Sequence, residues 1–279
     1  MNKKIRLLLI IVLLFVLLFC YLMYQNNILQ VTNYSVSNNK ITKEFKNFKI
    51  IQVSDFHNTD SKILTNKLIK EIKKEKPNII VLTGDLIDSR KLNIDISINF
   101  VKSIKEIAPI YYVSGNHEAS ITNYNELKER LIENDVIILD NKVEVLEINN
   151  KQINLIGIDD PQMSFNPSMN DVEIVDYYLD NLIYDNSLFT VILSHRPELF
   201  DFYVNNEIDL VLAGHAHGGQ FRLPFIGGVY APHQGMFPQY DSGVFTSQNT
   251  TMIVSRGIGN SVIPFRINNR PQLVVIELK

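Results

Sequence analysis

Five short apolar runs in this chain each close on a polar cluster, and helical stretches separate them. "FKIIQVSD" leads into Asp55 and His57, and "NIIVLTGD" into Asp85 and Asp88. "APIYYVSGN" leads into Asn116, His117 and Glu118; "LFTVILSH" ends on His195, and "IDLVLAGH" on His215 with His217 two residues further. Among the intervening stretches, "SKILTNKLIKEIKKEKP" has the spacing of an amphipathic helix stopped by Pro77. Further helices are predicted around Ile94–Ile107, Tyr124–Asn134 and Val172–Leu182, and at "PELFDFYVNN". A hairpin joins "KVEVLEINN" to "KQINLIGID". Strands alternating with helices specify a layered α/β fold, and in such sheets the binding crevice lies beyond the carboxyl ends of the strands. Residues far apart in sequence are therefore expected to meet at one place.

The residue types at those ends point to metal chemistry. Five of the six histidines lie in the clusters, with aspartates and an asparagine amide beside them. Imidazole and carboxylate suit divalent transition metals, and no cysteine is available for a soft thiolate site. The set is too large for one tetrahedral ion and suits two ions bridged by a carboxylate. Such pairs clamp phosphoryl oxygens and lower the pKa of a shared water, so hydroxide exists near neutral pH. Taken singly, Asp55-x-His57, Gly84-Asp85 and His195 read first as turns or a buried histidine, and Asn116-His117 equally as a helix cap; only His215-x-His217 with its glycines reads first as ligands. Five in this order, each at a strand end, read together as ligands.

The N-terminus sets the cellular context. Leu7 to Tyr24 is an unbroken apolar run of 18 residues preceded by Lys3, Lys4 and Arg6. At about 1.5 Å per residue it spans roughly 27 Å, close to the bilayer hydrocarbon thickness. It exceeds a typical signal-peptide core and no small-residue cleavage site follows, so residues 1–27 read as an uncleaved signal anchor. The flanking positive charges keep the N-terminus cytoplasmic, which predicts a single-pass cell-membrane protein with an extracytoplasmic catalytic domain. Residues 28–45, polar and rich in asparagine, read as a spacer, and 46–279 as the folded domain. The sole cysteine, Cys20, lies in the anchor, so no intramolecular disulfide forms. The chain carries 27 Lys and Arg against 30 Asp and Glu; three positive charges precede the apolar run, leaving −6 for the rest. That balance disfavours nucleic acid as a partner and with it a nuclease.

The ordered set D-x-H, G-D-x-x-D, G-N-H-E, a lone H and G-H-x-H resembles the calcineurin-like metallophosphoesterases, over about Phe48 to Glu277. The tail, "GGQFRLPFIGGVYAPHQGMFPQYDSGVF" and "VSRGIGNSVIPFRINNRPQLVVIEL", further resembles a membrane-associated bacterial branch related to phosphodiesterases and UDP-2,3-diacylglucosamine pyrophosphatases. The resemblance implies a four-layer fold, two β-sheets packed as a sandwich and flanked by helices. It implies two divalent ions (manganese, iron or zinc), one held by Asp55, His57 and His217 and the other by Asn116, His195 and His215, with Asp85 bridging. His117 would bind the phosphate and protonate the leaving oxygen, and Asp88 would orient it. Protein phosphatases of the superfamily place Arg directly after the second motif, whereas here Ser89 precedes Arg90, so their phosphate-gripping arginines do not transfer. Arg222, Arg256, Arg266 and Arg270 are candidates, with Arg222 preferred for substrate; His233 and Tyr240 are expected to fill loops rather than line the pocket.

The expected activity is hydrolysis of a phosphodiester or pyrophosphate bond, more than a monoester. The anchor and the apolar loops "LPFIGG" and "GMFPQY" suggest a lipid-linked or cell-envelope substrate. The alternative from another class is a non-catalytic, membrane-tethered metal-binding module, which would need no His117. Oligomeric state has no signature in the sequence.

Overall fold

The computed structural model of the protein describes residues 2–164, 166–260 and 263–279. Helix α1 (Lys3–Asn27) contains the whole apolar run; its mean hydropathy reaches 3.1 and none of that window is buried. It fits a single-pass anchor. The chain continues through β1 (Gln30–Val36), β2 (Lys49–Val53), α2 (Lys62–Glu75), β3 (Ile79–Thr83), α3 (Ile94–Ile104) and β4 (Ile110–Val113). A single turn α4 (Asn116–Ala119), α5 (Tyr124–Ile132) and β5 (Val136–Ile138) follow. The expected hairpin is β6 (Lys142–Ile148) and β7 (Lys151–Gly157), closed by Asn149 and Asn150 with φ of 50° and 60°. Asparagine tolerates that left-handed pair better than other side chains.

Next come α6 (Asp171–Asp180), β8 (Thr190–Leu193), α7 (Phe200–Asn205) and β9 (Leu210–Ala213). The tail holds two small hairpins, β10 (Arg222–Leu223) with β11 (Gly227–Gly228) and β12 (Tyr230–Ala231) with β13 (Gly235–Met236). Strands β14 (Gly243–Ser247), β15 (Thr250–Val254) and β16 (Gln272–Leu278) complete the chain.

Two six-stranded sheets form, in the orders β1-β16-β2-β3-β4-β5 and β14-β15-β9-β8-β7-β6. β2 to β5 run parallel, as do β7, β8, β9 and β15, so their carboxyl ends share one edge. Strand alternation then sorts side chains into layers. Ile50, Val81 and Val113 of the first sheet meet Leu155, Val191 and Leu212 of the second. Ile51 and Val53 point the other way, under α2, α3 and α5. α6 and α7 cover the outer face of the second sheet through Val175, Phe200 and Tyr203. The result is the four-layer α/β sandwich.

α2 shows how local sequence drives this packing. Ser61 caps it by accepting from Leu64 N, while Leu64, Leu68 and Ile72 recur every fourth residue and are buried. Each such side chain contributes about 1.5–3 kcal/mol relative to exposure. Lys76, in the left-handed region just before Pro77, ends the helix.

The spacer reading of residues 28–45 is corrected. β1 lies within that stretch and pairs in parallel with β16 over seven residues, from Gln30↔Gln272 to Val36↔Leu278. Leu29, Val36, Ile41 and Phe45 are buried. An edge strand keeps one face wet, so its polar residues looked like a linker.

Candidate metal centre

β2, β3 and β4 end on the same side of the sandwich as β8 and β9, and the five polar clusters meet there. Ligand atoms of Asp55, His57, Asp85 and His217 lie within 4.8 Å of one another, as do those of Asp85, His195 and His215. Asp85 belongs to both groups. Its Oδ2 lies 3.6 Å from His57 Nε2 and 3.2 Å from His195 Nε2. His217 Nε2 is 3.3 Å from Asp55 Oδ1 and 3.1 Å from His57 Nε2, so two imidazole nitrogens point at each other beside two carboxylates. His195 Nδ1 sits 2.9 Å from the Thr83 carbonyl, which places a proton on Nδ1 and turns Nε2 inward. Such a partner for the second nitrogen is the usual way a metal-binding histidine is oriented.

Burial makes this arrangement costly without cations. Asp55, His57, Asp85, His195, His215 and His217 are all nearly inaccessible. Burial pushes the Asp55 carboxyl up to about 6, though His195 opposes it, and pushes the His57 imidazole down to about 3. Burial lowers His195 too, but Asp85, with Asp55 and Asp160, together outweigh it and the group rises to about 10. Among the described residues, Asn116 Oδ1 is buried with no hydrogen-bond partner, as are Nδ1 of His57 and of His217. Asn116 sits beside His117, whose N–H donates to Asp85 Oδ1 over 2.9 Å. An orphaned amide oxygen, inward-facing imidazoles and a shared carboxylate fit two divalent ions, and an uncompensated buried cluster of this kind costs several kcal/mol.

The backbone is strained where these side chains are held. Asp55, His57, Asp85, His215 and His217 have φ of 50°, 48°, 51°, 64° and 47°. Each left-handed non-glycine residue costs of order 1 kcal/mol, and such strain gathers at functional sites. Close approach explains two glycines: a Cβ on Gly115 would lie 2.3 Å from Asp85 Oδ1, and one on Gly214 only 1.9 Å from Ser54 Oγ.

Glu118, quoted in the third cluster but given no role by the sequence, organises the strand-end loops. Its fully buried carboxylate accepts from the backbone N–H groups of Asp85, Leu86, Ile87 and Gly115 at 2.7–3.2 Å. Reaching back three residues to the Gly115 N–H is one half of a capping box, and because glycine has no side chain to supply the other half the sequence carried only a weak signal for it. His233 also departs from expectation: its Nδ1 lies 2.9 Å from His215 Nε2 and 2.7 Å from Arg196 Nη1, at the rim of the centre. Arg196, itself buried, forms a two-pronged pair with Asp160. Tyr240 packs against Phe200 and Phe245, as loop filling requires.

His117 stands beside the cluster, with Nε2 4.0 Å from Asp85 Oδ2. Asp88 Oδ1 comes only within 3.5 Å of His117 Nδ1, because Arg90 grips that carboxylate through Nε and Nη2 at 2.9 and 3.0 Å. The hydrogen bond to Nδ1 comes from Ser89 N, at 2.9 Å. Asp88 thus stands at ion-pair distance from His117 behind the closer Ser89 N–H. Arg222 is corrected: its Nη1 is held by Asp241 Oδ2, Ser242 Oγ and the Gly218 carbonyl, leaving it a loop clamp. Arg266 binds backbone carbonyls and Arg270 binds Tyr24 and Gln30. Nε and Nη2 of Arg256 are buried without partners among the described residues. The cationic side chains that line the cleft beside His57 and Asp88 are Arg90 and Lys91.

The chain is similar to known proteins over most of its length. The chain is 27% identical to the uncharacterized metallophosphoesterase YkuE of Bacillus subtilis, over 91% of this chain and 86% of that protein. It is 28% identical to the phosphodiesterase YaeI of Escherichia coli, over 83% and 82%. TT1561 of Thermus thermophilus shares the fold, with a TM-score of 0.50 at 12% identity, over 75% of this chain and 89% of that one. The calcineurin-like phosphoesterase family matches residues 48–219, which contain every residue of the cluster. With its strand-end donors converging on one edge of the sandwich, the chain belongs to the calcineurin-like phosphoesterases and is a hydrolase of phosphoric ester bonds.

Proposed function

We propose that the protein hydrolyses a phosphodiester or pyrophosphate bond of a membrane-associated substrate, using two divalent ions. Asp55, His57 and His217 would hold one ion and Asn116, His195 and His215 the other, with Asp85 between them. When bound, the ions supply Lewis-acid contacts to the phosphoryl oxygens and a hydroxide nucleophile near neutral pH. The observation that carries the reading is the double donor group sharing buried Asp85.

His117 addresses the substrate through Nε2. While Ser89 N–H occupies Nδ1, Nε2 carries the proton and donates a hydrogen bond to the phosphoryl or leaving-group oxygen. Full proton transfer requires a ring protonated on both nitrogens, since a neutral imidazole that gave up its Nε2 proton would be left as an imidazolate. Arg90 and Lys91 supply positive charge at the cleft for an anionic substrate.

The membrane reading is supported by two adjoining cavities. One, of about 600 Å³, is lined by His57, Asp88, Arg90 and Asn260. The second, of about 340 Å³, is lined by Phe19, Leu22 and Met23 of α1 and by Phe265, and both share Thr59, Asp60, Asn260 and Pro264. A polar head at the metals and an apolar tail against α1 would fill them together. With Lys3, Lys4 and Arg6 on the cytoplasmic side, the domain would face outward.

Hydrolysis of bis-p-nitrophenyl phosphate and p-nitrophenyl phosphate, with manganese or with chelator, tests the activity. Metal-dependent release from the diester, lost in Asp85→Ala, is expected. Silence from protein shown to carry two ions, on both soluble esters and on lipid phosphodiesters, would defeat the reading in favour of a binding module.

A further inference from the structure

α1 does not leave the domain as a free tether. Tyr21 Oη donates to Asn268 Oδ1 at 2.7 Å and accepts from Asn268 N at 3.2 Å. Arg270 lies over the Tyr24 ring, 5.6 Å from its centroid, and Asn26 Oδ1 accepts from Arg266 N at 3.1 Å. The strip from Arg266 to Arg270 that receives the helix also holds the β10–β11 hairpin. Arg222 N donates to Ile267 O at 3.0 Å, Phe221 bridges Ile267, and Asn268 Nδ2 donates to Arg222 O at 3.2 Å. Asn268 thus touches both the membrane helix and the hairpin.

The hairpin tip is built against the usual rules for a wet turn. Ile226 N donates to Leu223 O at 3.2 Å, which puts Pro224 and Phe225 at the two central positions. Phe225 has φ of 68°, where glycine or asparagine is normal, and it is 108% exposed relative to a reference residue. Ile226 and Leu223 are 61% and 44% exposed. Phe237, also at positive φ and exposed, is joined to this unit through Val229 O, and Met236 stands exposed beside it. Residues 223–240 contain no Asp, Glu, Lys or Arg. A strained backbone that displays phenylalanine in an uncharged stretch is a poor arrangement for water. It suits a lipid interface, where aromatic and aliphatic side chains enter beneath the headgroups.

We propose that the tip of the β10–β11 hairpin, Leu223 to Ile226, enters the same bilayer leaflet from which α1 emerges, as a second membrane contact. The occupant is lipid, because the patch is continuous, through Asn268, with a helix that fits a membrane span. Two attachments restrict rotation of the domain about α1. The inference rests on α1 as the span and not on the catalytic reading.

The sequence contains no tryptophan, so Phe225→Trp introduces the only indole. The full chain carrying it would be reconstituted in phosphatidylcholine–phosphatidylglycerol vesicles. Blue-shifted emission is expected, quenched by lipids brominated near the headgroup, at the depth of about 5–10 Å where interfacial side chains sit. Ile226→Trp should behave alike, which covers a folding failure at Phe225. Ile183→Trp, 96% exposed in the loop after α6, should stay unquenched. Unquenched, water-like emission from both hairpin variants would overturn the contact. So would blue-shifted emission without bromolipid quenching, which would place a second copy of the chain over the hairpin. Equal quenching at Ile183 would likewise remove the claim for the hairpin. Phe15→Trp, midway along α1 and read with lipids brominated deep in the acyl chains, separates the cases: if it too escapes quenching, the anchor reading has failed rather than the hairpin contact alone.

Discussion

Ser89 donates its backbone N–H to Nδ1 of His117 over 2.9 Å, closer than any atom of Asp88, and so sets the proton of this imidazole on Nε2. A histidine fixed this way is a hydrogen-bond donor toward the substrate. Replacing it by alanine should cost roughly 10²–10⁴ in kcat, the usual worth of such a group. Both ions should remain, since His117 belongs to neither donor group that shares Asp85. Asp88→Asn should cost less than His117→Ala, because Arg90 already holds that carboxylate. Steady-state kinetics with metal analysis decides; equal losses would show that Asp88 carries the Nδ1 proton during turnover.

The strand ends were legible because their chemistry is local: an apolar run, a serine or glycine, then a ligand type. Asp55, Asp85 and His215 could be read in that way, and parallel strands brought them together. What escaped depends on contacts across the fold. Nothing next to Ser89 in sequence announces that its N–H meets a histidine 28 residues later. Arg222 looked free beside the last motif, and only the return of the chain at Asp241 occupies it. β1 was hidden because an edge strand needs only one apolar face, so "QVTNYSV" carries a weak signal.

That strand leads to a boundary experiment. A chain beginning at residue 28 keeps β1, whereas one beginning at 46 leaves the seven-residue β16 as an open edge with its buried partners Leu29 and Val36 gone. Unpaired hydrophobic edges recruit other chains. The longer form should be monomeric and soluble by size-exclusion chromatography, and the shorter one aggregated. Equal behaviour would show that β1 is dispensable.

Glu118→Gln should weaken the frame beneath the metals. Four backbone N–H groups converge on its two oxygens, and an amide would turn an NH2 toward some of them. Burial pushes the Glu118 carboxyl up to about 7, but the N–H donors favour the ionised form. Breaking a buried charged network costs about 3–5 kcal/mol, which lowers Tm by on the order of 10 °C in a domain of this size. Calorimetry of the metal-loaded variant checks it, and an unchanged Tm would show the network to be unimportant.

Gly115→Ala isolates close approach from backbone freedom. Its φ of −118° suits any residue, yet a Cβ would meet Asp85 Oδ1 at 2.3 Å and Asp85 N at 2.5 Å. The carboxylate shared by both donor groups would be displaced. Metal content after dialysis should fall below two ions per chain while circular dichroism stays unchanged; a full complement of ions would refute the steric argument.

Asp159 gives a pH dependence away from the metals. Its carboxyl accepts from Ser114 Oγ at 2.8 Å, and burial, reinforced by Asp140, raises it from 3.8 to about 8. A carboxyl raised in the folded state contributes stability that is complete below its unfolded pKa and is lost as pH climbs through the folded one. Between about pH 4 and 8 the parent therefore loses stability from this group, and above pH 8 the loss is complete. Asp159→Asn keeps an acceptor for Ser114 and presents an NH2 to Asp140, at the loss of the bond that Oδ2 accepts from Asn141 Nδ2, with nothing left to ionise. Its Tm should equal or trail the parent's at pH 4 and overtake it by pH 8, with a gain of roughly 1–3 kcal/mol from removing a buried charge. A constant Tm difference across that range would mean that Asp159 is already ionised in the native protein, held so by Ser114 and Lys128.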